Sequence, residues 1–194
     1  MPDRNGRGGR NRGQCRDMLL LRMLVAAALV AVVAGCDDET ARDNAVEARE
    51  GNAVELGGLT YRVVLFRQLN PRATPESALV DGVPPAGEGY YAAFLSVCNA
   101  SDGTHVPTDD IHLEDAFGKS FAPLDTDVNA ELTYEPRRLP PEACEPADDS
   151  AADETYNGAA LVFSVPFDAV QRRPMVLEIQ PRGGGVPARV QLDL

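Results

Sequence analysis

The stretch Tyr90-Tyr-Ala-Ala-Phe-Leu-Ser-Val-Cys-Asn99 decides the fold. Its apolar residues are consecutive rather than alternate, so a strand built from it is covered on both faces and lies centrally in a sheet. Working outward, Asn99-Ala-Ser-Asp-Gly103 carries the residues of a turn. Upstream, Val54-Glu-Leu56, then Gly57-Gly58, then Leu59-Thr-Tyr-Arg-Val-Val-Leu-Phe66 reads as two strands around a Gly-Gly turn. The period of two predicts one shared face for Tyr61, Val63 and Leu65. Downstream, Ile111 and Leu113 face inward from a short strand, and Phe117-Gly118-Lys119 turns into Ser120-Phe121-Ala122. A strand region from Thr155 to Val165 follows, and Met175–Ile179 and Ala188–Leu194 finish the chain. No segment past residue 52 has sustained helical spacing. Short strands punctuated by Gly and Pro predict an all-β, antiparallel sandwich of immunoglobulin-like type.

The charge is unevenly placed. The 194 residues hold 18 basic and 30 acidic side chains, a formal net charge of −12. Residues 1–35 contain six arginines and two aspartates, so the remainder carries −16. Such a surface repels phosphate backbones, which argues against a nucleic-acid partner. The apolar fraction of 44% is that of a folding chain.

The first 35 residues read as an export signal. A basic opening leads to Met23-Leu-Val-Ala-Ala-Ala-Leu-Val-Ala-Val-Val33, too short for the roughly 20 residues that a membrane-spanning helix needs. Val33-Ala34-Gly35-Cys36 resembles the bacterial lipobox, whose cysteine is diacylated and becomes the first mature residue. The resemblance implies a lipid anchor on Cys36, outside the cytoplasm, and two acyl chains suffice for stable anchoring. Residues 1–17 are an over-extended start or a long n-region. Residues 36–52 have eight charges after Cys36 and no aromatics, which predicts a flexible acidic tether, or else a short exposed helix over 41–50. All five Tyr and six Phe lie beyond residue 60, so the folded domain is placed at 53–194.

Leu56-Gly-Gly-Leu-Thr-Tyr61, the strand 91–97 running into Asn99-Ala-Ser, Leu113-Glu-Asp-Ala-Phe-Gly118 and Gly158-Ala-Ala-Leu-Val-Phe-Ser-Val-Pro166 resemble, in that order, the DUF4352 family. The resemblance covers residues 53–180 and implies an immunoglobulin-like domain of a bacterial surface lipoprotein. The Pro-rich loop 70–89 and the acidic insert 145–154 depart from the family pattern.

Cys15 falls in the signal region and Cys36 in the lipobox, leaving Cys98 and Cys144 in the domain. An even pair in an exported domain is a disulfide candidate, with two buried free thiols as the alternative. Gly87-Glu-Gly89-Tyr-Tyr-Ala92 matches a dinucleotide fingerprint in letters, but no helix follows to hold a pyrophosphate. Asp125-Thr-Asp127-Val-Asn129 opens like a calcium loop, yet Ala130 and Pro136 stand where an EF-hand needs Gly and Glu. An extended segment there puts Asp125, Asp127, Asn129 and Glu131 on one solvated face, with a weaker calcium alternative if Asp109, Asp110 or Asp115 is near. His105 and His112 are the sole histidines and are placed at the surface. Nucleophilic catalysis needs a base beside the nucleophile, and nothing in the spacing supplies one.

The expectation is a lipid-anchored exported binding or interaction module, without catalytic activity or cofactor. Its partner is a protein or small molecule not named by the sequence, met through the loop 70–89; the Tyr90-Tyr91 pair at the end of that loop reads as strand packing, with a ligand platform as the alternative. A structural envelope lipoprotein is the alternative, followed by a carboxylate-based enzyme or calcium-dependent binding domain.

Overall fold

The computed structural model describes residues 45–125 and 128–194. The predicted signal and the lipobox cysteine Cys36 lie outside the described residues, as does Asp127. The folded unit runs from Asn44 to Leu194.

Among the described residues ten strands form two sheets: β1 Val46–Arg49, β2 Ala53–Leu56, β3 Leu59–Gln68, β4 Glu88–Cys98, β5 Ile111–Glu114, β6 Ser120–Phe121, β7 Cys144–Glu145, β8 Ala159–Pro166, β9 Met175–Ile179 and β10 Ala188–Leu192. One sheet has the order β1-β10-β9-β5-β6. In the other, β2 pairs β3 and β3 pairs β4, while the far edge of β4 is shared by β8 and β7. All pairings between named strands are antiparallel except β1 with β10. The expected sandwich is therefore present, with β4 central because three strands flank it.

β1 corrects the domain boundary. Residues 46–52 lie in the span whose charge predicts a tether, or an exposed helix over 41–50. They instead extend the first sheet, with the Val46 N–H donating to Pro187 O and the Glu50 N–H to Gln191 O, both at 2.8 Å. An edge strand needs backbone pairing more than apolar side chains, so composition hides it.

Leu65 is a second correction. The register shifts between Val63 and Leu65, a bulge that reverses the alternation. Phe66 takes the buried position and stacks on Tyr91 (centroids 5.9 Å apart), while Leu65 is 38% exposed. Tyr61 and Val63 face the core as expected.

Two short helices also depart from expectation. The acidic insert forms α1, Ala151–Tyr156, so the strand expected from Thr155 begins at Ala159. Ser150 caps it by accepting the Asp153 N–H, Asp153 and Glu154 favour the positive first turn, and Asn157 ends it at φ 53°. Six residues are too few for helical spacing to register in sequence. Tyr156 lies on the buried side and stacks on Phe94 of β4 at 4.2 Å. α2, Phe167–Val170, directly follows β8.

Tyr61, Val63, Leu95 and Val97 fill the space between the sheets against Ile111, Leu113, Leu177 and Val190. Phe94 and Tyr90 point the opposite way, and α1 together with the loop 70–87 covers them as a third layer. In that loop Leu79 and Val80 are buried, and Glu76 pairs with Arg67 of β3 at 2.7 Å. This layer is why β4 is apolar on both faces.

The strands define two poles. The β2–β3 turn, the β4–β5 connection 99–110, the β9–β10 connection 180–187 and Val46 gather at the proximal pole, where the chain enters. The loop 69–87, the β5–β6 turn 115–119, α2 and residues 171–174 form the distal pole.

Candidate functional site

The distal pole exposes three large apolar side chains. Phe117 is 81% exposed, Val83 63% and Phe167 45%. Phe117 rides on the β5–β6 turn, which Asp115 builds by accepting the N–H of Phe117 at 2.9 Å and of Lys119 at 3.0 Å. Gly118 supplies the left-handed backbone that closes the turn (φ 78°). Arg172 holds this turn to α2, pairing with Asp115 at 2.9 Å and Asp168 at 2.7 Å, and its guanidinium lies 5.7 Å from the Phe117 ring centre. Burial pushes the Asp115 carboxyl upward, but the two backbone N–H donors and Arg172 outweigh it and hold the group below the usual carboxylate range. Phe117 is thus exposed on a rigid support, not on a loose tip.

Beside it, the loop 70–89 and α2 enclose a groove of about 390 Å³, lined by Gln68, Leu69, Arg72, Val83, Glu88 and Phe167 among others. The floor includes Tyr90, while Tyr91 faces the core against Phe66. Both tyrosines are buried on opposite faces of β4, so the pair packs within the strand and forms no shared platform. Loop 70–89 does form a concave surface, with its first half clamped by Glu76 and its second half bordering the groove.

The calcium candidates form no ligand cluster among the described residues. Asp125 and Asp109 border the same 210 Å³ pocket with Glu135, beside β8. Asn129 is not in an extended segment: its Oδ1 accepts the Glu131 N–H at 3.2 Å and its carbonyl accepts the Leu132 N–H at 3.0 Å, closing a turn. That turn takes Asn129 out of the extended segment expected for it, while Asp127 lies outside the described residues. Among the described residues no three His, Cys, Asp or Glu side chains gather at metal-binding distance.

Cys98 and Cys144 are disulfide-bonded. They stand directly opposite in the β4–β7 pair, with Cα atoms 4.1 Å apart, so the bond follows from register. The adjacent Glu145 is buried and accepts both Nε and Nη2 of Arg137. His112 pairs with Asp110 at 2.8 Å. His105 pairs its backbone with Leu139, and its ring lies over Gly58. Neither ring hydrogen-bonds a hydroxyl or thiol among the described residues. In Gly87–Ala92 the backbone enters β4, a strand where a dinucleotide site needs a helix.

Sequence reasoning did not select Phe117 or Phe167. A signal existed for Phe117, since an aromatic between Ala116 and Gly118 in a turn has no sheet face to bury it. For Phe167, following the strand 159–166, nothing distinguished exposure from core.

No family model matches the chain, and no curated protein matches it. Among solved structures, the secreted protein MPT63 of Mycobacterium tuberculosis superposes with a TM-score of 0.51 at 13% identity, over 77% of this chain and 98% of that one. A putative lipoprotein of Bacillus subtilis, ycdA, gives 0.48 at 9% identity, over 74% of this chain and 38% of that longer one. An uncharacterised β-sandwich protein of Clostridium difficile gives 0.46 at 12% identity, over 77% and 95%. The likeness to MPT63 establishes the shared fold.

Proposed function

We propose that this protein is an exported, lipid-anchored binding module, a divergent relative of the DUF4352 lipoproteins, that engages a protein partner through its distal pole without catalysis. The observation that carries the reading is the placement of Phe117, Phe167 and Val83. All three are exposed at the end remote from chain entry; Val83 and Phe167 line one groove, and Phe117 rides on the turn that Arg172 ties to α2. Exposed aromatics on a preorganised surface suit recognition, because little conformational entropy is lost on binding.

Export and anchoring rest on residues 18–36: a short apolar run ending in Val33-Ala34-Gly35-Cys36. A secreted protein shares the sandwich fold, which agrees with export. Catalysis is left out of the proposal because an activated nucleophile requires an adjacent base.

The test places a photo-crosslinking residue at Val83 of the full-length protein in cells. A discrete crosslinked partner is expected, and it should be lost in the Phe117→Ser/Phe167→Ser double variant, whose fold is checked by circular dichroism and thermal melting. An equal crosslink yield in the double variant would remove the distal pole from the interface. Mass spectrometry of the mature N-terminus should find acyl mass on Cys36, and Cys36→Ser should release the protein from the membrane.

A further inference from the structure

The proximal pole holds a pocket of about 250 Å³ between the β2–β3 hairpin and the connections 99–110 and 180–187. Leu56, Leu59 and Val106 give it apolar walls, and Tyr61, His105 and Arg182 also line it. No carboxylate lines it, in a chain with 30 acidic against 18 basic residues.

Three polar side chains there have unspent hydrogen-bonding capacity, and two of them, Tyr61 and Arg182, keep a free donor. Tyr61 is only 2% exposed; its oxygen accepts the Thr108 N–H at 3.0 Å, and its own proton has no acceptor among the described residues. The half-buried His105 ring lies over Gly58, and neither ring nitrogen has a hydrogen-bond partner among the described residues. Arg182 donates Nε to the Pro107 carbonyl at 2.8 Å and Nη2 to Asp109 at 3.0 Å, which fixes the guanidinium and leaves Nη1. Burial raises the Tyr61 hydroxyl above its ordinary acidity range, with the Arg182 charge pulling the other way, so the hydroxyl stays a proton donor at neutral pH.

A fixed cation and a free hydroxyl proton, with an imidazole beside them whose N–H can turn to the same side, select an anion, and apolar walls select one with a hydrocarbon body. A single guanidinium already sharing its charge with Asp109 suits a monoanion better than phosphate or sulfate. The volume falls below the usual range for drug-sized ligands, so the body is short. We propose that this pocket binds a small carboxylate with a short aliphatic chain, its oxygens meeting Tyr61, His105 and Arg182 Nη1 and its chain lying on Leu56, Leu59 and Val106. This site is separate from the distal pole, and neither reading depends on the other.

The test titrates the full-length protein with sodium butyrate and follows backbone amide NMR signals. Butylammonium and 1-butanol serve as the charge and polarity controls. Butyrate should shift the signals of Gly57, residues 104–106 and Arg182 with a Kd of about 1–10 mM, a weak site in keeping with one shared cation. Butylammonium should leave those signals in place. Arg182→Gln should weaken binding by about tenfold, the loss of one charge-assisted hydrogen bond. Because Arg182 also ties down Pro107, a second variant, Val106→Leu, fills the pocket without touching a donor and should weaken butyrate equally. Absence of shifts up to about ten times that Kd, equal response to butylammonium, or unchanged affinity in Val106→Leu would each overturn the proposal.

Discussion

Arg67 and Glu76 face each other at 2.7 Å across the outer side of the second sheet, one on β3 and the other on the short 3₁₀ turn Glu76–Ala78. The same guanidinium lies 5.8 Å from the Phe94 ring centre and 5.9 Å from that of Tyr156. One side chain thereby joins the sheet, the loop 70–87 and α1. Glu76 also accepts the Asn70 N–H, which turns the chain back over the sheet at the start of the loop. The groove at the distal pole exists because this clamp holds one of its walls.

Glu76→Gln should therefore loosen the loop before it unfolds the domain. The variant leaves Arg67 partly buried without its counter-charge, at an expected cost of about 1–2 kcal/mol after allowing for solvent screening of a partly exposed pair. Limited proteolysis should show new cleavage between residues 70 and 87. Leu79→Ala, which empties a fully buried position, should cost about 2–4 kcal/mol and give the same cleavage pattern. Unchanged protease resistance in both variants would show that the loop is held by something else.

The disulfide has a separate, larger effect. Cys98 and Cys144 are 46 positions apart, and the chain-entropy model gives a stabilisation of about 4 kcal/mol for a loop of that size. Non-reducing peptide mapping should find a single Cys98–Cys144 linkage. Reduction should lower the melting temperature by several degrees while leaving the β-sheet circular dichroism signal at low temperature. A melting temperature insensitive to reductant would mean that the unfolded chain gains little freedom when the bond is cut.

The sequence made the sandwich legible where side chains alternate or run together. Tyr61 and Val63, Ile111 and Leu113, and the doubly apolar β4 all sit where the pattern put them. Three features escaped for physical reasons. β1 is held by backbone hydrogen bonds that any composition can make, so Glu47 and Arg49 read as tether. The bulge at Val63–Leu65 adds one residue, and a period of two has no means of announcing it. α1 is too short to show a face, and its acidic first turn looked like a solvated insert. The candidate site was half legible: loop 70–89 stood out as a departure, while Phe117 and Phe167 depend on a tertiary ion-pair frame that no local pattern encodes.

Acid should act on that frame through Asp115. Its carboxyl lies below the ordinary value in the folded chain: burial raises it, and the N–H groups of Lys119 and Phe117 with Arg172 lower it further than burial lifts it. A depressed folded pKa contributes stability that is present above the unfolded carboxylate value and is lost as pH falls through the folded one. The wild type should thus lose stability below about pH 4. Asp115→Asn should be less stable at pH 7, by about 1–3 kcal/mol for the lost charge-assisted bonds, and show a shallower decline in acid. Urea midpoints measured from pH 7 to pH 2.5 decide this, and parallel curves for the two proteins would remove Asp115 from the acid response.

Gly57 and Gly58 close the same hairpin, yet they answer to different constraints, and substitution separates them. Gly57 has φ 59° and open space where a Cβ would go. Alanine there meets only the left-handed backbone penalty, about 1 kcal/mol. Gly58 has φ 82°, and its Cβ would lie 2.7 Å from the His105 Cε1, so the imidazole must move. Since His105 is held by two backbone bonds to Leu139, Gly58→Ala should cost more, about 2–3 kcal/mol. The excess belongs to the ring alone. In a His105→Ala background the cost of Gly58→Ala should fall to that of Gly57→Ala, a coupling of about 1–2 kcal/mol in a double-mutant cycle of denaturation midpoints. Zero coupling would mean that the second glycine is required by the turn itself. Strong coupling shows that the β2–β3 turn is shaped by the connection 99–110 packed over it, and with it the mouth of the proximal pocket.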